Sequence, residues 1–309
     1  MSKPAITIIT PTYNRASSLR RAIQSVQRQS CSDYEYLIVD DGSTDGTEEI
    51  VQSMADRRTR YLRLDRHQGA NPARNAGIEA AQGELLTFLD SDDEYLPERL
   101  SGLLSITQKE PDTELILSSF MTCKGATSLR SCNPNVFLSG PELELALMSH
   151  AIFIGGTSIT VRKSTIRRSG GFEPTLQRLQ DREALLRLSQ HCGARLLGEV
   201  DWIKHVSPDS ISLPRTGYVE SISALLEVHP ELSHQYDGLI RYHIARHVLS
   251  DLLRGRIGNV LSSMRANYES RKLNVSVIDL ANGYRAGRDL RRTVVNSIRS
   301  ASITRAESH

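Results

Sequence analysis

The sequence predicts an α/β fold: a mainly parallel central sheet flanked by helices, with a helical C-terminal extension. Three observations carry this reading. Strand and helix signals alternate through the first hundred residues. A cluster of acids, Asp90-Ser91-Asp92-Asp93, closes a buried apolar run. Beyond about Pro214 the pattern is helical to the end, with breaks at Gly255, Gly258, Asn259 and Asn282.

Each element follows from its local pattern. Ala5-Ile6-Thr7-Ile8-Ile9-Thr10 is a β-branched apolar run that suits a strand buried on both faces. Leu19, Ala22, Ile23 and Val26 recur at helical spacing. Tyr36–Val39 reads as a second buried strand, and Thr44–Met54 as a helix with Ile50, Val51 and Met54 on one face. Arg60–Leu64 alternates like a third strand. Asn71-Pro72 opens a helix as N-cap and first-turn proline. The small residues Ala73, Ala76, Gly77 and Ala80 on that helix allow close packing on the sheet. Leu85–Leu89 is the fourth strand. The β-α-β-α-β-α-β order predicts parallel strands with helices on both faces. From about 112 to 206 the alternation loosens, as expected where a sheet takes mixed strands. Strands are expected at Glu114–Phe120, Ser158–Arg162 and Arg195–Val200, and helices at Glu142–Met148 and Arg182–Ser189.

The chain has 309 residues, enough for one large domain or a domain with an appendage. No apolar run approaches bilayer-spanning length, and the N-terminal segment lacks a signal-peptide pattern. Cys31, Cys123, Cys132 and Cys192 show no metal-ligand spacing and read as reduced thiols of a cytoplasmic protein. Charge is unevenly spread. Residues 241–309 hold 13 Lys/Arg against 5 Asp/Glu, while the remainder is net acidic. A basic tail suggests an anionic partner, such as an anionic membrane surface or a lipid diphosphate; Arg on packed helix faces is the alternative. Nothing in the tail reads as a nucleic-acid recognition motif.

Three carboxylates in four positions repel one another unless a positive group sits among them. A hard divalent cation, Mg²⁺ or Mn²⁺, is the natural candidate. The acids lie where a strand leaves the sheet, the edge at which open α/β sheets bind ligands. A solvated acidic turn that caps the next helix at Pro97 is the other reading. Two more loops are expected at the same edge: Thr10-Pro11-Thr12-Tyr13-Asn14-Arg15 and Asp40-Asp41-Gly42-Ser43-Thr44-Asp45-Gly46-Thr47. A nucleobase offers a planar face and imide groups, which Tyr13 and Asp40 could meet. Arg74 falls in the first turn of a helix, where the dipole disfavours a cation, so it needs an anion: a diphosphate or the acidic cluster.

Taken together, T-P-T-Y-N-R, V-D-D-G-S-T-D-G-T, G-x-x-x-A-R-N-x-G and L-D-S-D-D occur in the order and spacing of the family 2 glycosyltransferases. The chain resembles these inverting enzymes of the GT-A fold over about residues 4–210. The resemblance implies a catalytic domain over 1–213, with a nucleotide-binding half (1–110) and an acceptor half (111–213), and a helical extension over 214–309. It implies a nucleotide-sugar donor, with UDP-sugars favoured, held by Thr10, Pro11, Tyr13, Arg15, Asp40, Arg74, Asp90 and Ser91. It places a Mg or Mn ion on Asp92, with His205 of the Lys204-His205-Val206-Ser207-Pro208-Asp209-Ser210-Ile211-Ser212 segment beside it. Ser169-Gly170-Gly171-Phe172-Glu173 is similar to the family's turn before the acceptor-side helix. Asp181 then matches the catalytic base, with Gln180 where the family usually has Glu; Asp181 as a plain helix N-cap is the alternative. A single base implies direct displacement with inversion. The acceptor would be a carbohydrate or a lipid-linked saccharide in surface-polysaccharide assembly. That places the enzyme in the cytoplasm, peripheral on the inner membrane face, where Val277, Ile278, Ala281, Tyr284, Val294, Val295 and Ile298 could form an apolar side among the arginines. Packing or an oligomer contact is the alternative for that side. Two rival functions share some of these features. A sugar-phosphate nucleotidyltransferase would want a Gly-rich loop after the first strand, which is missing here. A non-catalytic nucleotide-sugar-binding protein would have no use for Asp181.

Overall fold

The computed structural model describes residues 3–206, 217–269 and 277–306, the side chains of 268–269, 277–283 and 302–306 excepted. Strands and helices alternate first as β1 (Ile6–Thr12), α1 (Ala16–Gln27), β2 (Tyr34–Asp40), α2 (Thr47–Met54), β3 (Thr59–Arg63), α3 (Ala70–Ala80) and β4 (Leu85–Phe88). Next come β5 (Glu94–Tyr95), α4 (Arg99–Lys109), β6 (Leu115–Lys124), β7 (Thr127–Ser131), β8 (Val136–Leu138), α5 (Gly140–Met148), β9 (Ile159–Arg162), α6 (Lys163–Arg168), α7 (Gln180–Ser189) and β10 (Ala194–His205). Five helices follow: α8 (Tyr218–Val228), α9 (Leu232–Gln235), α10 (Asp237–Leu253), α11 (Ile257–Glu269) and α12 (Val277–Ala306).

The sheet runs β3-β2-β1-β4-β9-β6-β10-β5, with β7 on β6 and β8 on β10. The first four strands are parallel, as the βαβ alternation requires. β9 enters antiparallel between β4 and β6, and β10 is again parallel to β6. β1 and β2 are buried at every position because neighbours and helices cover both faces. Leu19, Ala22, Ile23 and Val26 of α1 are fully buried, the face that their spacing predicts. The close approach of α3 is real: a Cβ on Gly77 would stand 2.5 Å from Ile9 Cγ2. Only glycine lets this helix lie so near β1 and β2.

Two helix starts differ from expectation. α3 begins at Ala70, after Gly69 turns the chain at φ 106°, so Asn71 sits inside the helix rather than capping it. Its side chain is drawn away by tertiary contacts: Nδ2 donates to Glu173 O at 2.7 Å. α7 begins at Gln180, which puts Asp181 in the first turn and not at the N-cap. The short strands β5, β7 and β8 were not anticipated. β5 has two residues, and β7 is mostly exposed and polar, so neither carries a period-two signal.

The chain divides into two compact units. One comprises Met1–Leu143, Phe153–Pro174 and Ala184–Ser207; the other comprises Glu144–Ile152, Thr175–Glu183 and Pro208–His309. The expected boundary at 213/214 lies outside the described residues. In the second unit α12 packs along α10. The Tyr242 and Tyr284 rings lie 5.3 Å apart, and Val294 and Ile298 are each only 7% exposed. Packing therefore occupies the face that could have met a membrane at Val294 and Ile298; the side chains of Val277, Ile278 and Ala281 lie outside the described residues. No helix among the described residues is long and apolar enough to cross a membrane.

Candidate active site

The parallel register brings three loops to one edge of the first unit. Thr12 of β1 pairs with Asp40 of β2, and Ile9 pairs with Phe88, two residues before Asp90. The T-P-T-Y-N-R, D-D-G-S and D-S-D-D segments thus leave the sheet side by side. The loops then tie themselves together. Asn14 takes a left-handed φ of 50°. Its backbone N–H donates to Ser43 Oγ at 2.8 Å, and its Oδ1 accepts from Thr44 N at 2.8 Å.

Thr10 and Pro11, expected at the nucleotide, are buried within β1, and the Thr10 hydroxyl accepts from Tyr36 OH at 3.2 Å. They support the edge from below. Asp40 is also fully buried. Its Oδ1 accepts from Ser43 N at 2.9 Å and its Oδ2 from the Tyr61 hydroxyl of β3, which fixes the carboxylate at the start of its loop. Asp41 does the same for the next loop, accepting from Gln68 N at 2.9 Å and Gly69 N at 2.6 Å. It also pairs with His67 Nδ1 at 2.7 Å. That contact positions His67 over Tyr13, with ring centroids 3.8 Å apart and an 18° interplanar angle. Tyr13 is 37% exposed, so an aromatic platform stands open at the edge. No sequence signal marks His67; the fold alone delivers it to Tyr13.

The acidic turn is held from two sides. Arg74 is 3% exposed and donates to Asp90 Oδ1 at 2.7 Å, with its guanidinium 5.3 Å over the Phe172 ring. Asp90 is one of the two anions expected beside Arg74. On the other side, Thr157 Oγ1 donates to Asp93 Oδ2 at 2.7 Å and accepts from Asp90 N at 3.1 Å. Thr157 O in turn accepts from the buried Arg99 at 2.8 Å. Burial pushes the Asp93 carboxyl well above the ordinary carboxylate range, and the charges of Asp90 and Asp92 push the same way. Asp92 is raised by burial and by Asp90, against the opposing charges of Arg15 and Lys204. Ser91 is buried in the same turn.

This donor set fits a divalent ion of a particular kind. Among the described residues no three His, Cys, Asp or Glu side chains form a ready metal cage. Beyond burial, the charges of Asp90 and Asp92 nonetheless raise the neighbouring carboxyls by repulsion, which a cation at the turn would relieve. Mg²⁺-type ions are commonly held by one or two carboxylates and completed by substrate phosphates. His205, expected beside the metal, has a carboxylate neighbour. It pairs with Cys123 of β6, and its Nε2 lies 3.1 Å from Glu94 Oε2, at the strand β5 that borders the other side of β10.

Asp181 belongs to the second unit, at the start of α7. Glu183, two residues on, is fully buried and pairs with His229 Nε2 at 3.0 Å. Ser207–Ser212, the end of the His205 segment, lie outside the described residues.

A family model described as glycosyl transferase family 2 matches residues 7–168, more than half of the chain. The chain belongs to glycosyl transferase family 2. It has the α/β architecture expected of that family. Among its relatives is the GalNAc(5)-diNAcBac-PP-undecaprenol beta-1,3-glucosyltransferase of Campylobacter jejuni, 41% identical over 104 residues. That alignment covers 33% of this chain and 34% of the relative, so the two share about a third of their lengths. The transferase also superposes on S. aureus TarS 1-349 in complex with UDP, at a TM-score of 0.62 and 19% identity, over 96% of this chain and 91% of that one. A mannosyltransferase of Pyrobaculum calidifontis, PcManGT, in complex with GDP-Man and Mn²⁺, matches at a TM-score of 0.59 and 17% identity. It covers 99% of this chain and 87% of that one. At these identities the two structures establish the shared fold.

Proposed function

We propose that the transferase moves a sugar, with inversion, from a nucleoside-diphosphate donor (a UDP-sugar by preference) to the hydroxyl of a lipid-linked saccharide in surface-polysaccharide assembly. The observation that carries this reading is the Asp90-Ser91-Asp92 turn, clamped by Arg74 and Thr157 on the same sheet edge as the open Tyr13 ring. That edge offers a stacking face for a base and oxygen ligands for a diphosphate-bound cation.

Each residue then has a task. Tyr13 stacks the base, and His67 stands on the same ring to sandwich it or yield to it. Backbone and side-chain contacts of Asp40 and Asp41 hold the platform in shape. Asp90, fixed by Arg74, faces the ribose. Asp92 would hold Mg²⁺ or Mn²⁺, which when bound neutralises charge growing on the departing diphosphate. Arg15 and Lys204, whose charges reach Asp92, add fixed positive charge near the same group. Asp181 removes the proton from the attacking acceptor hydroxyl. With a single base and no nucleophile required, displacement is direct and the anomeric centre inverts. Peripheral attachment at the cytoplasmic membrane face would fall to Leu252, Leu253, Ile257, Leu261 and Met264. These side chains are exposed on α10 and α11 near Arg254 and Arg256.

A nucleotide-sugar panel read by nucleoside-diphosphate release, with Mg²⁺ or Mn²⁺ and a sugar-diphosphate-lipid acceptor, tests the reading. Turnover with a UDP-sugar and an inverted linkage by NMR are expected. Asp181→Asn should lower turnover by about 10²–10⁴ with donor affinity kept. Retention of the anomeric configuration, or wild-type turnover in the Asn variant, would overturn the mechanism.

A further inference from the structure

The second unit concentrates positive charge around two stacked histidines. His150 and His243 lie ring on ring, with centroids 3.9 Å apart at 25°. Three arginines act on both rings: Arg182 of α7, Arg246 of α10 and Arg291 of α12. Burial, then these cations, holds His150 well below the ordinary imidazole range and His243 at about 3. The rings are therefore neutral, and the charge is that of the guanidinium groups. Among the charges felt at Arg182 is that of Asp181. Burial brings Arg182 down to about 10, with Tyr218 and Asp181 opposing. The three guanidinium groups thus concentrate positive charge at the two stacked rings.

Two further observations point outward to a ligand. The Nε–H groups of Arg182 and Arg291 are buried and have no hydrogen-bond partner among the described residues. Their other contacts are to backbone carbonyls: Arg182 Nη1 donates to Leu147 O, and Arg291 Nη2 to His150 O at 3.2 Å. Neither arginine is neutralised by those bonds. The backbone at His150 is also strained. Helix α5 ends with Ala151 N donating to Ala146 O at 3.0 Å, and His150 takes the left-handed position at φ 52°. Glycine is the usual occupant of that position. A histidine there gives up backbone ease to place an imidazole on His243 and a carbonyl on Arg291. Such outliers persist where the surroundings use them.

We propose that Arg182, Arg246 and Arg291, ordered by the His150–His243 stack, bind the diphosphate of the acceptor. Arginine forks match phosphate oxygens, and buried Nε–H groups supply the donors such a ligand would satisfy. The site stands beside Asp181, so an acceptor anchored by its phosphates would present its sugar to the base-bearing helix. The inference rests on the lipid-linked acceptor proposed above and makes that acceptor's phosphates part of its recognition.

Calorimetry of the full chain with inorganic pyrophosphate tests the site without turnover or donor. Wild type should bind it, and Arg246→Gln and Arg291→Gln should each weaken binding at least tenfold at unchanged thermal midpoint. Replacing His150 by glycine relieves the backbone and should raise the midpoint while weakening pyrophosphate. In the transferase assay the arginine variants should raise KM for a sugar-diphosphate-lipid at least tenfold, but not KM for the same sugar on a neutral alkyl aglycone. Absent pyrophosphate binding in the wild type, or equal binding in all variants, would overturn the proposal. So would binding to phosphatidylglycerol vesicles that falls in the variants while pyrophosphate is ignored, since the cluster would then contact a membrane headgroup. A protein that binds pyrophosphate in this pattern but transfers no sugar would keep the site and sink the transferase reading. One that transfers equally to phosphate-free acceptors would do the reverse.

Discussion

Thr157→Val removes one hydroxyl and keeps the side chain's shape. In the wild type that hydroxyl donates to Asp93 at 2.7 Å and accepts from Asp90 N at 3.1 Å. Thr157 is fully buried and Asp93 is 3% exposed, so water does not replace the bond to Asp93, and the part-buried Asp90 N–H loses its acceptor. Each buried polar group left stranded costs about 1–3 kcal/mol, which sets the loss at roughly 2–6 kcal/mol. Asp93 can take up a proton, because burial and its acidic neighbours already raise its carboxyl well above the ordinary range. That escape lowers its share, and the expected loss is about 3 kcal/mol. For a unit of this size it corresponds to a fall in Tm of roughly 6–12 °C. Trp202 is the only tryptophan, is 1% exposed, and stacks on Phe120 at 4.6 Å within the same unit. Its fluorescence during urea unfolding therefore reads this unit directly. Thr157→Ser should recover all but about 1 kcal/mol, since it lacks only a buried methyl. The penalty of the Val variant should also shrink as pH falls. Asp93 has a raised folded pKa, so the folded state binds its proton more tightly and loses stability as pH rises. A Val variant within about 0.5 kcal/mol of wild type would refute the strut assigned to Thr157.

Three further expectations follow from other parts of the molecule. Gly77→Ala should lower stability by about 1–3 kcal/mol on the same fluorescence readout, because its Cβ would meet Ile9 Cγ2 at 2.5 Å. Tyr13→Ala should weaken nucleotide binding by about 1–3 kcal/mol, roughly 5- to 150-fold by calorimetry, with the unfolding midpoint unchanged. In the second unit the hydrogen bond to Glu183 raises the His229 pKa, against the opposing effect of burial. This stabilisation is complete below the ordinary histidine value of 6.5 and is lost as pH rises through the raised folded value. Thermal unfolding by circular dichroism should show that slope in the wild type and lose it in His229→Gln.

The parallel half of the sheet was legible because β-branched runs and helical spacing are local properties. Leu19, Ala22, Ile23 and Val26 name the buried face of α1 from their periodicity alone. The acidic turn and the aromatic of T-P-T-Y-N-R were legible because strand ends in a parallel sheet share one edge, whatever the side-chain detail. The sequence also marked Arg74 as a cation in need of an anion. What it left open were the partners, since partners depend on residues far away in the chain. Only the tertiary structure gave Arg74 to Asp90, spent Asp40 on Tyr61 and Ser43, and turned His205 to Glu94. It drew Asn71 off its capping position toward Glu173, 102 residues away. The basic tail shows the same division. Composition fixed its charge, but helix packing decided that Val294 and Ile298 face inward while Arg291 meets His150 from another segment of its unit. Local pattern sets which segments form and which faces are apolar; long-range packing decides where each charge finds its counterpart.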